Sequence, residues 1–290
     1  MGIPFLGGVP YWAHSGLEKS IRPIVTEEHS TGAIEAYRAL RTSVLTALDK
    51  LNEKIVIVTS ADSGEGKTLT VLNLAIMTAQ MGKKVLLVDM DLRRGRLHKS
   101  LGLEREAGLT DVLRKEKKLG EVIEPTKIDN LSFVSSGGSV DDTAELLQAS
   151  DLVGIFAEAR DEYDYIFIDT SPILRVTDTV IVATQGLGSV VYVAHVSQTP
   201  KSLIKYSLDM LKDIRVLGIV MNNIELHKFG SLYYTYQYPN YAYYSNAYAY
   251  GYDSYYYDDK EGVRKPRKHR SAWSSRRHAV EKWFRRTFLP

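Results

Sequence analysis

The feature that most constrains the fold is a glycine-rich loop between a predicted strand and a predicted helix. Residues 61–68, ADSGEGKT, follow the apolar run at 55–60 and lead into a helical pattern over 67–81. They match the pattern GxxxxGK[ST], with Ala61 in the place of the first glycine. In such a loop, backbone N–H groups at the helix N-terminus bind phosphates. The loop therefore predicts a site for ATP with Mg²⁺, against the alternative of an ordinary turn.

The residues expected to contact the nucleotide belong to this loop and to the first turn of the helix. Lys67 is expected to reach the β- and γ-phosphates, and the Thr68 hydroxyl to bind Mg²⁺. Gly64 and Gly66 permit backbone conformations and close approaches that a side chain would block. The full predicted set is Ser63, Gly64, Glu65, Gly66, Lys67, Thr68 and Leu69.

Apolar runs alternate with helix-length segments along the chain. The predicted strands lie at 55–60, 84–91, 131–136, 165–170, 189–196 and 216–223. Helix-length segments include 67–81, 144–160 and 201–213, and apolar residues at helical spacing predict an amphipathic helix over 33–51. This pattern predicts an α/β fold with a mostly parallel sheet covered by helices on both faces, that of a P-loop NTPase.

Two of the predicted strands end in aspartates. Asp89 and Asp91 end the segment 85–91, and Asp169 ends the run at 166–169. Open α/β sheets bind ligands beyond the carboxyl ends of their strands, so these carboxylates could converge on the glycine-rich loop. Each aspartate taken alone could equally be a helix cap or a solvated charge. Three aspartates in register with the loop favour a role in binding Mg²⁺. We predict Thr68, Asp91 and Asp169 as the Mg²⁺ ligands.

The glycine-rich loop, the DxDxR segment at 89–93 and the Asp-Thr pair at 169–170 together resemble the bacterial tyrosine kinases of the Wzc and CapB group. The resemblance covers roughly residues 1–260. Glu35, Arg38 and Arg41 fit the ExxRxxR pattern of that family's oligomerisation helix, which implies a ring-like homo-oligomer.

One position separates the chain from a related family, and two others depart from the kinase pattern. MinD/ParA-like ATPases share the fold but carry a signature lysine where Asp62 stands, which counts against that branch. Gly95 and Ser171 stand where the kinase family often has proline, which puts loop geometry in doubt more than chemistry.

The resemblance implies phosphoryl transfer from ATP to tyrosine, with Lys67, Asp89, Asp91 and Asp169 as the catalytic residues. We assign Asp89 to orient or deprotonate the acceptor phenol, although spacing alone does not distinguish it from Asp91. A cluster of thirteen tyrosines supplies the expected acceptors. If Glu35, Arg38 and Arg41 form contacts between subunits, as the resemblance implies, transfer between neighbouring subunits is favoured over transfer within one chain. The acceptors are Tyr233, Tyr234, Tyr236, Tyr238, Tyr241, Tyr243, Tyr244, Tyr248, Tyr250, Tyr252, Tyr255, Tyr256 and Tyr257.

Composition divides the chain further. There is no cysteine, which excludes disulfides, thiolate metal sites and a cysteine nucleophile. The overall charge of +2 hides a C-terminal block, 260–290, with eleven Lys or Arg against two Glu. We predict an extended arm at 1–30, a kinase domain at 31–229, a disordered tyrosine-rich tail at 230–259 and a basic amphipathic extension at 260–290.

The two ends of the chain give expectations about its partners and its location in the cell. No signal peptide or membrane-spanning run is found, so we expect a cytoplasmic protein, at the inner face of the cell membrane by the resemblance. Residues 2–10 resemble the segment after the second transmembrane helix of longer family members, which implies a missing membrane part or a separate membrane activator; a floppy terminus is the alternative. The extension at 260–290 could contact an anionic membrane, fold back on the tail or remain a solvated tail; nucleic-acid binding is disfavoured.

The sequence is compatible with three functions. The first is a tyrosine kinase that phosphorylates its own tail and, by the resemblance, regulates capsule or exopolysaccharide synthesis and export. The second is a MinD/ParA-like positioning ATPase, and the third is a nucleotide-gated scaffold that phosphorylates no protein. Nucleotide binding would use the same residues in all three.

Overall fold

A computed structural model describes residues 2–11, 23 and 31–224. Eight strands form one sheet. They are β1 (Phe5–Pro10), β2 (Ile55–Ser60), β3 (Val85–Asp89), β4 (Glu124–Pro125), β5 (Leu131–Val134), β6 (Tyr165–Asp169), β7 (Ser189–His195) and β8 (Val216–Ile224).

The helices lie between these strands, and several of them are short. They are α1 (Thr31–Leu51), α2 (Lys67–Ala79), α3 (Leu97–Leu101), α4 (Leu109–Leu113), a 3₁₀ helix (Leu119–Val122), α5 (Thr143–Gln148), α6 (Leu152–Ile155), α7 (Ala157–Glu162), α8 (Asp178–Thr184) and α9 (Lys201–Asp209).

The strand order is β1-β8-β7-β2-β6-β3-β5-β4, and every pairing except β4 with β5 is parallel. Strands β2, β6 and β3 are neighbours in the middle of this order. Asp89 is paired directly with Asp169 across β3 and β6. The sheet therefore brings the ends of these three strands, and the loops that follow them, to one place.

Both faces of the central strands are buried, as the sequence predicted. Val56 and Val58 belong to the core that α1 and α2 cover, whereas the alternate residues Ile55 and Ile57 point to the opposite face. All four are fully buried. On β7, the hydroxyl of Tyr192 is hydrogen-bonded to Ser207 of α9. The mostly parallel α/β fold is confirmed.

The first strand was not predicted. Residues 5–10, FLGGVP, contain two glycines and end in proline, which are poor strand formers. The strand forms because β8 offers a parallel edge, with Phe5 paired to Ile219. A Cβ on Gly7 would lie 3.3 Å from Leu40 of α1, so the glycine lets the strand pack closely on that helix.

The helix expected over 144–160 is wrong as a single element. The structure has α5, α6 and α7 there, three short helices. The break between α5 and α6 follows from Asp151, whose carboxylate accepts a hydrogen bond from Gly154 N at 3.0 Å and so caps a new helix. The predictions for 67–81 and 201–213 correspond to α2 and α9.

Several predicted features lie outside the described residues. These are the tyrosine-rich tail with all thirteen acceptors, the basic extension and most of the arm at 1–30. The domain boundaries stay predictions. In the part of the chain that the structure describes, no helix combines the length and the apolar character needed to cross a membrane.

Candidate active site

The glycine-rich loop connects the end of β2 to the start of α2. Gly64 and Gly66 have φ values of 84° and 94°, in the left-handed region that favours glycine. A Cβ on Gly66 would also overlap Asn222 Nδ2, which donates a 2.9 Å hydrogen bond to Glu65 O. Both requirements select glycine at position 66, and α2 begins immediately after it. The loop and helix N-terminus have the form of a phosphate-binding P-loop.

Lys67 lies where the central strands end. Its Nζ is 3.4 Å from Asp169 Oδ1, 3.5 Å from Asp91 Oδ2 and 3.1 Å from the Thr68 hydroxyl. The side chain is buried, which by itself would lower its pKa, but Asp169 and then Asp91 hold the net pKa above its usual value. Lys67 is therefore an ammonium at neutral pH, surrounded by carboxylates.

Asp89 is fully buried at the end of β3. One carboxylate oxygen accepts a hydrogen bond from Leu97 N at 3.1 Å, and the other from Asp91 N at 3.3 Å. Burial, followed by the charge of Asp169, raises the pKa of Asp89 to about 7. A carboxylate with this pKa can accept a proton near neutral pH.

Asp91 lies two residues beyond Asp89, just after the strand rather than within it as predicted. Its Oδ1 accepts hydrogen bonds from the Ser171 hydroxyl at 2.8 Å and from Arg94 N at 3.1 Å. Ser171, noted above as a departure from the family pattern, thus orients a predicted metal ligand. The other departure also has a structural reason, because a Cβ on Gly95 would overlap Ser136 Oγ.

The loop is fixed by acidic residues on its other side. Glu65 is buried, accepts a 2.9 Å hydrogen bond from Asp62 N and is hydrogen-bonded to the Thr199 hydroxyl. Burial raises the pKa of Glu65. Asp62 forms a two-point ion pair with Arg175, which lowers the pKa of Asp62. The residue that replaces the signature lysine is thus bound to the loop after β6.

The structure thus brings all four predicted catalytic residues to one site and adds residues that the sequence did not indicate. Ser171 could have been suspected because it follows Asp169 and Thr170. Arg175, Thr199 and Asn222 carry no local signal.

The site's donor set fits a nucleotide with a hard divalent cation. Lys67 is placed for phosphate oxygens, and the Thr68 hydroxyl with the carboxylates of Asp91 and Asp169 supplies the oxygen donors that Mg²⁺ prefers. No group of three or more acidic or histidine side chains in the described ranges forms a metal site by itself.

The residues of the predicted oligomerisation motif lie on α1, where Arg38 and Arg41 have different surroundings. Arg38 is exposed and forms an ion pair with Glu35 one turn earlier. Arg41 is half-buried and points to α2, where its Nη1 donates a 3.0 Å hydrogen bond to Met77 O. The inter-subunit role of all three stays a prediction.

Comparison with known proteins gives the chain its family. A family model described as an AAA domain matches residues 53–198. The tyrosine-protein kinase YwqD of Bacillus subtilis is 36% identical over 206 residues, covering 70% of this chain and 86% of YwqD. The chain belongs to the bacterial tyrosine-protein kinase family. Its P-loop fold implies nucleotide binding, as the sequence predicted.

Further members of this kinase family are longer or structurally known. The tyrosine-protein kinase wzc of Salmonella typhi is 34% identical over 74% of this chain, which spans only 30% of the length of wzc. The kinase domain of Escherichia coli tyrosine kinase ETK matches 77% of this chain and 91% of its own, with 27% identity and a TM-score of 0.70. Apo McdA of Cyanthece, at 20% identity and a TM-score of 0.50 over 59% of this chain and 71% of its own, shows the fold alone.

Proposed function

We propose that this protein is an ATP-dependent protein-tyrosine kinase that phosphorylates the tyrosine cluster at 233–257. The observation that carries the proposal is that Lys67 Nζ lies within 3.5 Å of carboxylate oxygens of both Asp91 and Asp169, while Asp89 is hydrogen-bonded to the Asp91 backbone. The family relationship supports tyrosine as the acceptor. MgATP, when bound, would supply the phosphoryl group and the cation that neutralises developing charge.

Each side chain has a distinct task in this proposal. Lys67 binds phosphate oxygens, and the loop N–H groups before it hold the remaining phosphates. Thr68, Asp91 and Asp169 position Mg²⁺, with Ser171 holding the Asp91 carboxylate in place at 2.8 Å.

Asp89 accepts the proton that the phenol loses as its oxygen bonds to the phosphorus. Two backbone N–H groups, those of Leu97 and Asp91, fix the orientation of the Asp89 carboxylate. The bond from the transferred phosphorus to the leaving ADP oxygen breaks in the same displacement.

The composition of the acceptor segment, residues 233–257, suits it to enter such a site. Between residues 233 and 257 there are thirteen tyrosines and neither Lys nor Arg. The proposal includes transfer between subunits of a homo-oligomer, with Glu35 and Arg38 at the surface of α1 available for subunit contacts. It also includes a role in regulating capsule or exopolysaccharide synthesis, at the inner face of the membrane and with a membrane activator, by family resemblance.

The alternative of a positioning ATPase is less well supported. Such an enzyme uses a lysine at the position of Asp62, whereas here the carboxylate of Asp62 is bound to Arg175.

The test is to incubate the purified protein with Mg-ATP and map phosphorylated residues by mass spectrometry. The inactive variant is Lys67→Met, and Lys83→Met, which changes an exposed lysine before β3, is the matched control. Phosphotyrosine in 233–257 that is present in wild type and Lys83→Met but absent in Lys67→Met supports the proposal. ATP hydrolysis without phosphotyrosine in any sample would point to the ATPase instead.

Transfer between subunits needs a second experiment. Lys67→Met protein with an intact tail is mixed with active protein truncated after residue 229. Phosphotyrosine on the inactive chain demonstrates transfer between chains, and its absence, with normal wild-type phosphorylation, would restrict transfer to the chain's own tail.

A further inference from the structure

A cleft of about 470 Å³ lies beside the candidate active site. We call it the basic cleft, because its wall carries five cationic side chains, from Arg93, Arg94, Arg96, Lys99 and Arg105. The first four belong to one short segment that begins two residues after Asp91. The predicted metal ligand and the basic cleft are therefore joined by the same loop.

Most of this positive charge is not neutralised by the protein itself. Arg93 is bound to Asp178, with Nε–Oδ2 at 3.0 Å. Arg94, Arg96 and Lys99 are exposed, and among the described residues none of them forms an ion pair. Clustered cations without partners repel one another, so an anion bound among them would be stabilised by charge.

Hydrogen bonds hold part of the wall of the cleft in place. Arg105 reaches across to the loop after β5, where its Nε donates a 2.6 Å hydrogen bond to Gly137 O. Leu97 N donates to Asp89 Oδ2 at 3.1 Å. His98 also lines the cleft, and its buried Nδ1 has no hydrogen-bond partner among the residues described. The backbone that carries the cations is thus held in place, so only side chains need to be ordered when a ligand binds.

The basic cleft lies next to Asp89, the carboxylate proposed to take the proton of the acceptor phenol. Gly95 lines the cleft, and a Cβ on it would approach Asp89 Oδ2 to 2.8 Å. The P-loop follows β2, whereas the segment that carries the cleft follows β3, two strands along in the order β2-β6-β3-β5. An anionic group in the basic cleft would thus lie on the Asp89 side of the candidate active site.

The chain itself offers one class of anion that matches this cleft. Guanidinium groups bind phosphate monoesters through paired hydrogen bonds, more strongly than they bind neutral acceptors. The acceptor segment becomes a series of such monoesters as it is phosphorylated, and it has Asp253, Asp258 and Asp259 around its last tyrosines.

We propose that the basic cleft binds a phosphotyrosyl side chain of the segment 233–257, from the same chain or from a second copy, and so presents a neighbouring tyrosine to Asp89. This inference rests on the proposed kinase function. Adjacent tyrosines are available for it, since Tyr255, Tyr256 and Tyr257 are consecutive and an extended chain spans roughly 3.3–3.6 Å per residue. One phosphorylation would then favour the next.

The test is peptide binding, which requires no catalysis. Full-length protein is first dephosphorylated with a tyrosine phosphatase, which is then removed, and the P-loop is filled with Mg²⁺ and a non-hydrolysable ATP analogue. Fluorescent peptides with the sequence of residues 250–259, phosphorylated or not at Tyr256, are titrated by anisotropy. The phosphopeptide should bind about tenfold or more tightly, the magnitude expected for hydrogen bonds to a charged group.

Two double variants locate the binding. Arg96→Ala with Lys99→Ala removes two exposed charges of the cleft and should abolish the preference for the phosphopeptide. Lys83→Ala with Lys127→Ala removes two exposed charges near the amino ends of β3 and β5 and should leave it unchanged.

Equal affinity for both peptides, a preference that survives in the cleft variant, or an equal loss in both variants would overturn the inference. A kinase assay without phosphotyrosine would defeat the proposed function and leave this binding result standing. Active kinase without phosphopeptide preference would remove the inference alone.

Discussion

Arg41 is expected to stabilise the P-loop helix in addition to any role between subunits. It was predicted as an oligomerisation residue, but in the structure its Nη1 donates to Met77 O at 3.0 Å. Met77 lies near the C-terminus of α2, where carbonyl groups lack partners within the helix. Met81 N, which would continue the helical pattern to Met77 O, bonds to Thr78 O instead. Among the described residues, Arg41 therefore supplies the donor that the backbone does not.

The size of the effect follows from this geometry. A hydrogen bond from a charged donor to a half-buried carbonyl contributes about 1.5–3 kcal/mol, and a cation near a helix C-terminus adds about 0.3–1 kcal/mol. Arg41 Nε is buried without a hydrogen-bond partner among the residues described, which offsets part of this gain. We therefore expect Arg41→Ala to cost about 1–2 kcal/mol of unfolding free energy.

Arg38 provides the matched control on the same helix. Its side chain is 58% exposed and its partner Glu35 is three residues away, a type of ion pair that contributes little. At protein concentrations where light scattering shows the same oligomeric state, Arg41→Ala should lower Tm by about 2–8 °C and Arg38→Ala by about 1 °C or less. Arg41→Lys keeps the charge and should recover part of the loss. Equal Tm values for the two alanine variants would refute the stabilising role.

Three further predictions concern the site. Gly66→Ala should abolish MgADP binding in a calorimetric titration, because the new Cβ would overlap Asn222 Nδ2 at a φ of 94°; near wild-type affinity would contradict this. Ser171→Ala should lower the rate of phosphotyrosine formation on the order of tenfold by releasing the Asp91 carboxylate, with little change in Tm, and an unchanged rate would remove the orienting role. Burial raises the pKa of Asp89 from 3.8 to about 7, so the folded state binds the proton more tightly, and stability should fall as pH rises from about 4 to about 7. Asp89→Asn should flatten that decrease in denaturation measured without nucleotide and abolish phosphotyrosine; an unchanged pH profile would contradict this.

The central part of the fold was predictable because its signals are local. A strand buried on both faces appears as a continuous apolar run, and the loop at 61–68 has a fixed spacing that depends on phosphate geometry. Strand ends in a parallel sheet meet at one edge, which is why the sequence predicts that Asp91 and Asp169 lie close together. Lys67 contacts both carboxylates, as that expectation required.

The parts that escaped prediction depend on long-range contacts. Strand β1 has weak strand propensity and exists through pairing with β8, more than 200 residues later in the chain. Asn222 supports the P-loop from 157 residues away, and Arg175 reaches Asp62 from 113 residues away. Side chains of this kind are set by tertiary packing, for which a single sequence holds no periodic signal.

The segment from Asp89 to Lys99 arranges charge in an order that suits two different ligands. Its first part holds two buried carboxylates, which with Asp169 outnumber the single ammonium of Lys67 and favour a divalent cation there. Its second part carries arginines and a lysine, which favour an anion. Because Leu97 N is bonded to Asp89 Oδ2 at 3.1 Å, the two parts cannot move independently without breaking a buried hydrogen bond. A phosphorylated segment held by the second part would therefore help to fix the orientation of Asp89, the carboxylate proposed to take the acceptor proton.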